Sequence, residues 1–143
     1  MHRLRSVIQR QDLISAQPSD SVYEVATAMS RGRVGAIPIV DGDRLLGIFS
    51  ERDLMTRVVV PERDARATPV SEVMTHDVVT AGPEEHVDYC LEKMRKAGCR
   101  HLPVSNGGRV IAMVSMRDLL RDEIEEQDQE IRHLRAYLHQ TPV

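Results

Sequence analysis

The chain repeats itself. Shifted by 65 residues, positions 6–54 align without a gap on positions 71–119, and thirteen of the 49 pairs are identical, against roughly three expected from ordinary residue usage. The identical pairs include Asp12/Asp77, Ala16/Ala81, Pro18/Pro83, Val22/Val87, Met29/Met94, Pro38/Pro103, Gly42/Gly107 and Arg44/Arg109, and they end in Ser50/Ser115, Arg52/Arg117, Asp53/Asp118 and Leu54/Leu119. A tandem duplication constrains the fold strongly. What one copy forms the other must form, and in a chain of 143 residues two such small units are expected to share a core.

Each copy carries the same local pattern. A short β-favouring stretch ("DLIS", "DVVT") runs to a proline, and a helix then begins among acidic and hydroxyl residues ("PSDS", "PEEH") suited to a helix N-terminus. Val22, Val25, Ala26 and Met29 in the first copy, and Val87, Cys90, Leu91 and Met94 in the second, follow the i, i+3, i+4, i+7 spacing of one buried face. Two strands follow in each copy, "VGAIPIV" with "RLLGIF" and "CRHLPVS" with "RVIAMVS", joined by Asp41-Gly42 and Asn106-Gly107. Both dipeptides favour hairpin turns. A second helix starts at Ser-x-Arg-Asp and, in the first copy, stops near Val60 because Pro61 cannot continue it. The predicted unit is β-α-β-β-α, twice, an α/β (α+β) fold.

Composition narrows the function. Aromatic residues make up 3% of the chain and there is no Trp, so aliphatic residues and Met must build the core. Cys90 stands where the first copy has Val25 and Cys99 where it has Val34, which reads both as core residues rather than as a disulfide or zinc pair. The net charge of -3 offers no field for a polyanion and argues against nucleic-acid binding. The N-terminal "MHRLRSVIQRQDL" lacks the apolar region of a secretory signal, and no apolar run approaches the ~20 residues that span a bilayer. The expected location is the cytoplasm. His2, His76, His86, His101, His133 and His139 show no zinc-ligand spacing, no Cys pairs with His in a nucleophile motif, and no glycine loop cradles a phosphate. The chain is therefore not expected to be an enzyme, nor to use a metal or a catalytic cofactor.

These features resemble the cystathionine-β-synthase-type (CBS) domain pair. Two copies of about 50 residues each carry hydrophobic-x-hydrophobic-Pro-hydrophobic followed by Asp/Asn-Gly, "GAIPIVDG" and "RHLPVSNG", and then an apolar strand ending in Ser-x-x-Asp. The resemblance covers residues 6–120 and is nearest to the stand-alone bacterial pairs that have no attached enzyme domain. It implies a pseudo-twofold disk in which the two sheets pack together and leave two clefts that in many members bind adenosine-containing ligands. It also implies a homodimer. The expected organisation is a first repeat at 6–60, a linker at 61–70, a second repeat at 71–122 and a C-terminal helix at 117–139.

The repeated Ser-x-Arg-Asp admits two readings. As local chemistry it is a capping box, in which the Ser hydroxyl accepts from the Asp amide and the Asp side chain reaches back to the Ser amide. The same corner can hold an anion, because the positive end of the helix dipole favours a phosphate near Ser50 or Ser115 with Arg52 or Arg117 beside it. Asp53 or Asp118 can accept from both hydroxyls of a ribose. In the resembled family these positions contact phosphate and ribose. The first cleft is then expected to comprise Ile14, Ser15, Ala36, Ile37, Pro38, Ser50, Arg52 and Asp53, and the second Val79, Thr80, Arg100, His101, Leu102, Pro103, Ser115, Arg117 and Asp118. Arg100 and His101 replace Gly35 and Ala36, so the second cleft should be more positive and hold an extra hydrogen-bonding group. The family often has Gly where Ala112 stands, as at Gly47.

From Arg117 the chain has no Pro or Gly until Pro142, and Leu120, Ile124, Gln127, Ile131, Leu134 and Leu138 step by 4, 3, 4, 3 and 4 residues. This is a heptad seam, with Ile124, Ile131 and Leu138 at a and Leu120, Gln127 and Leu134 at d, suited to a two-stranded coil supporting a homodimer. The alternative is an amphipathic helix packed back on its own disk. Two functions are compatible with these residues. One is a regulatory sensor in which AMP, ATP or NAD occupies a cleft and shifts the disposition of the halves toward an unidentified regulated protein. The other is a ligand-free dimerisation scaffold in which Ser-x-Arg-Asp only caps helices.

Overall fold

Each copy lays one helix against one hairpin, and a second helix leaves the hairpin's end. The computed structural model describes residues 2–8 and 13–140; Asp12, predicted to open the first strand, lies outside them. A short helix α1 (Leu4–Val7) precedes α2 (Val22–Gly32), β1 (Ala36–Asp41), β2 (Arg44–Ser50) and α3, which opens at Glu51–Asp53 and continues as a π-helix over Leu54–Val59. A 3-10 turn at Val70–Glu72 leads to α4 (Val87–Ala97), β3 (His101–Asn106), β4 (Arg109–Ser115) and α5 (Met116–Gln140). The helix and both strands of the second copy lie 65 residues after those of the first, the offset of the sequence repeat.

α2 starts where the Ser21 hydroxyl accepts from the Glu24 amide at 3.1 Å, and it buries Val22, Val25 and Met29. α4 buries the equivalent Val87, Cys90 and Met94. Both helices end on a left-handed residue, Gly98 at φ 68 in the second copy and Arg33 at φ 54 in the first. Glycine takes that conformation readily, whereas a side chain strains it. The hairpins match in register, Ala36 opposite Ser50 and His101 opposite Ser115, and share a bulge after Ile39 and Val104. Asp41 and Asn106 pair with Arg44 and Arg109, so the loop residues are Gly42-Asp43 and Gly107-Gly108, each entered by a glycine at φ 61. The glycine of each predicted dipeptide is thus the first loop residue rather than the second.

The leading strand predicted in each copy contracts to a single parallel bridge, Ala16 to Ile39 and Ala81 to Val104. The Ala16 amide donates to the Pro38 carbonyl at 3.1 Å and the Val40 amide to the Ala16 carbonyl at 2.8 Å, and Ala81 bonds Pro103 and Ser105 at 3.0 and 2.8 Å in the same way. Extending this ladder toward Ile14 or Val79 would require an N–H from residue 38 or 103. Both are proline, so the ladder stops there.

Two cores result, and each is completed by chain from the other copy. Ile37, Ile39, Phe49, Val22 and Val25 form the first together with Val70, Val73 and Met74 at the start of the second repeat. Leu102, Val104, Val114, Val87 and Cys90 form the second together with Leu4 from the segment ahead of the first. The backbone bonds repeat the exchange: Leu4 and Arg5 amides donate to Glu85 and Pro83 carbonyls, and Val70 and Ser71 amides to Asp20 and Pro18 carbonyls. The two sheets are thereby locked into one body, β4 touching both β1 and β2.

α5 buries Leu119 alone, and every residue from 127 to 140 is exposed. At 1.5 Å per residue about 20 Å of helix stands clear of the disk. This excludes the alternative of a helix packed back on its own chain, and leaves Ile131, Leu134 and Leu138 of the heptad seam open. Among the described residues no helix is long and apolar enough to cross a membrane.

Candidate functional site

The two Ser-x-Arg-Asp corners are both capping boxes. The Asp53 amide donates to the Ser50 hydroxyl at 3.2 Å and the Ser50 amide to Asp53 Oδ2 at 3.0 Å. The second corner matches it, with both the Asp118 amide to the Ser115 hydroxyl and the Ser115 amide to Asp118 Oδ2 at 3.1 Å. Backbone bonds tie each corner to the start of its hairpin, from the Glu51 amide to the Gly35 carbonyl and from the Met116 amide to the Arg100 carbonyl.

The carboxylates then diverge. Asp53 is 7% exposed and its oxygens also accept from the Ser50 hydroxyl at 3.0 Å and from the Thr75 hydroxyl at 3.2 Å, with Arg57 Nε 3.7 Å away. Thr75 reaches it because the start of the second repeat pairs with β2, Ile48 and Thr75 exchanging both backbone bonds at 2.9 Å. Asp118 instead opens on a cleft of about 910 Å³, within the range of small-molecule sites.

The cleft lies where the starts of β1 and β3 meet. Gly35 faces His101 so closely that a Cβ there would sit 3.2 Å from His101 Nε2 and 3.4 Å from Glu51 Oε1. Its walls carry Arg33, Arg100, Arg117 and Arg121 against two carboxylates, Glu51 and Asp118, an excess of two positive charges. His101 is held below its ordinary pKa, first by burial and further by Arg100, while Glu51 and Asp118 act in the opposite direction. At neutral pH it is therefore an uncharged imidazole able to donate and accept. The walls are mixed in kind, with Leu13, Ile14, Ala36 and Met113 beside the charged groups.

This arrangement redistributes the residues expected from the sequence. Arg100, His101, Ser115, Arg117 and Asp118 of the expected second cleft come together, but their opposite wall is Ile14 and Ala36, assigned to the first. The packing of the two hairpins is the reason: Ile14 and Ala36 stay with the first copy, and β1 and β2 lie against β4, so the start of one hairpin faces the corner of the other. Ile37 and Leu102 are fully buried core residues and cannot line a cleft, because the strand alternation turns them inward. Pro38 and Pro103 are buried in their strands and serve as the acceptors for Ala16 and Ala81. Ser15 and Val79 are exposed outside this cleft, and the Thr80 carbonyl accepts from Lys93 Nζ at 3.0 Å. Ser50 and Asp53 are engaged with one another and with Thr75, and Arg52 is exposed nearby. Arg33, Gly35, Glu51 and Arg121 escaped the sequence reading. Glu51 was nonetheless signalled, as the variable x of the motif that is Met116 in the other copy.

A tandem α-β-β-α fold with exchanged segments, and a charged cleft at a helix corner, defines a pair of like repeats packed as one body. The CBS domain model matches residues 4–60 and 70–125, and the chain belongs to that family. It is 32% identical over 124 residues to the mitochondrial CBS domain-containing protein CBSX3 of Arabidopsis thaliana, an alignment covering 83% of this chain and 60% of that protein. It spans 21% of a longer curated relative, the Arabidopsis CBSCBSPB1. A CBS-domain protein of Burkholderia ambifaria superposes with a TM-score of 0.82 at 34% identity, over 88% of this chain and 96% of that one. The CBS domain protein PAE2072 of Pyrobaculum aerophilum, complexed with AMP, gives 0.75 at 27%, over 82% and 89%. The CBS domain pair of protein MJ0100, in complex with 5′-methylthioadenosine and S-adenosyl-L-methionine, gives 0.79 at 25%, over 88% and 98%.

Proposed function

We propose that this chain is a regulatory module that binds an adenosine-containing ligand in the cleft at the Ser115–Asp118 corner. The single observation that carries the reading is the contrast between the two corners: Asp118 faces a cleft with four arginines, whereas Asp53 is already consumed by Ser50 and Thr75. In this reading Asp118 accepts from the ribose hydroxyls, Arg117 and its neighbours meet the phosphate, and Ile14, Ala36 and His101 hold the base. The AMP of PAE2072 and the S-adenosylmethionine of MJ0100 support the ligand class, and AMP, ATP and NAD are the first to test. The engaged state of Asp53 favours the cap-only reading for the first corner, so one equivalent of ligand per chain is expected.

Response to the ligand passes through its unequal affinity for two arrangements of the disk or of paired disks, since nothing else can shift such an equilibrium. The exposed seam of Ile124, Ile131, Leu134 and Leu138 supports pairing of two copies through α5. Calorimetric titration of the chain with AMP, ATP, NAD and S-adenosylmethionine, each beside its 2′-deoxy counterpart where one exists, tests the site. Binding that weakens about tenfold without the 2′-hydroxyl, consistent with loss of a hydrogen bond to a charged group, is the expected result. Failure of every ligand to bind overturns the proposal in favour of a ligand-free scaffold. Replacing Ile131 and Leu138 with Lys should convert a dimer to monomer in light scattering; an unchanged mass removes α5 from the interface.

A further inference from the structure

We propose that His2, Asp122 and Glu126 form a binding site for a divalent first-row transition-metal ion, joining the segment ahead of the first repeat to the base of α5. The ligand atoms of the three side chains lie within 4.8 Å of one another, and His2 Nδ1 is 3.0 Å from each Asp122 oxygen. Asp122 and Glu126 are one turn apart on one face of α5. His2 is delivered from the other end of the chain, and its position is not left to a loose terminus. Its carbonyl accepts from the Val87 amide at 3.0 Å, the Leu4 amide donates to the Glu85 carbonyl at 2.9 Å, and the Leu4 side chain is fully buried in the second core.

The donor set selects the ion. One imidazole and two carboxylates without a thiolate suit Zn²⁺, Co²⁺ or Mn²⁺, bound at about 2.0–2.2 Å. Tetrahedral ligands at that distance stand roughly 3.3–3.6 Å apart, so the most distant atoms of this cluster, within 4.8 Å of one another, must close by up to about 1.2–1.5 Å. Side-chain rotation supplies that on a helix surface, where Asp122 keeps 16% and His2 40% of its side chain exposed. Three protein ligands leave a coordination position for water. In the metal-free protein His2 Nδ1 and the Asp122 carboxylate hydrogen-bond across the same place, and the metal displaces that contact. The site lies one helical turn beyond Asp118, on the helix that shapes the cleft, yet its chemistry is independent of the nucleotide reading.

The test uses the full chain with no added histidine tag, stripped with EDTA and dialysed. Zn²⁺ is titrated by calorimetry and Co²⁺ by visible absorption, on the parent chain and on His2→Ala, Glu126→Gln and Cys99→Ser. The expected result is one equivalent of metal, an affinity at least about tenfold weaker in His2→Ala and Glu126→Gln, and none of this loss in Cys99→Ser. The melting temperature should rise with Zn²⁺ in the parent and Cys99→Ser proteins only. Absence of binding, or binding of equal strength in the parent, His2→Ala and Glu126→Gln, overturns the site and leaves a metal-independent ion pair. Glu126→Gln retains the His2–Asp122 contact, so it keeps the test decisive should His2→Ala loosen the N-terminal segment.

Discussion

Asp53→Asn and Asp118→Asn are the same isosteric change at equivalent positions, and the structure demands unequal consequences. Asp53 accepts from the Ser50 amide, the Ser50 hydroxyl and the Thr75 hydroxyl while 7% exposed. Asparagine retains the acceptor oxygen used by Ser50 but sets an NH₂ group against Arg57 Nε, which can only donate, and the Thr75 hydroxyl must reverse to accept from it. Hydrogen bonds to a charged group are worth about 1.5–3 kcal/mol each, and a buried group left unmatched loses more than the bond alone. Loss of one such bond and weakening of the others puts Asp53→Asn at about 2–4 kcal/mol. Asp118 makes the cap bond to the Ser115 amide and is half-buried on an open cleft, so its change should resemble an ordinary cap loss of about 1 kcal/mol. With a urea slope near 2 kcal/mol/M, the unfolding midpoint should fall by roughly 1–2 M for Asp53→Asn and by roughly 0.5 M for Asp118→Asn. Nucleoside binding should separate them in the opposite sense, lost in Asp118→Asn and kept in Asp53→Asn. Equal midpoints within error, or a larger loss at Asp118, would refute the reasoning that the exchanged Thr75 commits one carboxylate to structure and spares the other.

His101 provides a pH signature. Its pKa is lowered in the folded chain, so the unfolded chain binds more protons in acid, and stability is full above the model-compound value of 6.5 and falls as pH drops below it. The charged groups around it, Glu51, Asp118 and Arg100, are retained in His101→Gln, which should flatten this part of the stability profile; an unaltered slope shows that another group is responsible. Burial pushes the Cys90 thiol up to about 11 and leaves it without exposure, so in a Cys99→Ser background it should not react with a thiol reagent at neutral pH until urea unfolds the chain, and prompt labelling contradicts its core position. Gly47→Ala would set a Cβ 2.7 Å from the Thr75 carbonyl and 2.8 Å from Met74 Sδ. A loss of about 1–3 kcal/mol in a urea melt is expected from such overpacking, and a neutral result means the segment that opens the second repeat can move away.

Much of the architecture was readable because it rests on short-range chemistry. The periodic stripe of α2 and α4, the Gly-entered hairpins and the Ser-x-Arg-Asp caps each depend on residues within a few positions of one another. The leading strands were over-read for a reason also present in the sequence: Pro38 and Pro103 withhold the amide that the next rung requires. The cleft was less legible. Its polar residues Arg100, His101, Ser115, Arg117 and Asp118 carry recognisable chemistry, but Ile14 and Ala36 were assigned to the wrong partner and Arg33 and Arg121 had no local signature.

By itself, then, the sequence determined the duplicated unit, its helix stripes, its turns and both capping boxes, because each is settled by neighbours along the chain. Tertiary structure alone decided that Leu4 completes the second core and Val70 the first. That exchange brings Thr75 to Asp53 and carries His2 to Asp122 and Glu126, while Asp118 lines the cleft. Contacts between residues 22 and 120 positions apart depend on how two cores share their chain, and no spacing within either copy records it.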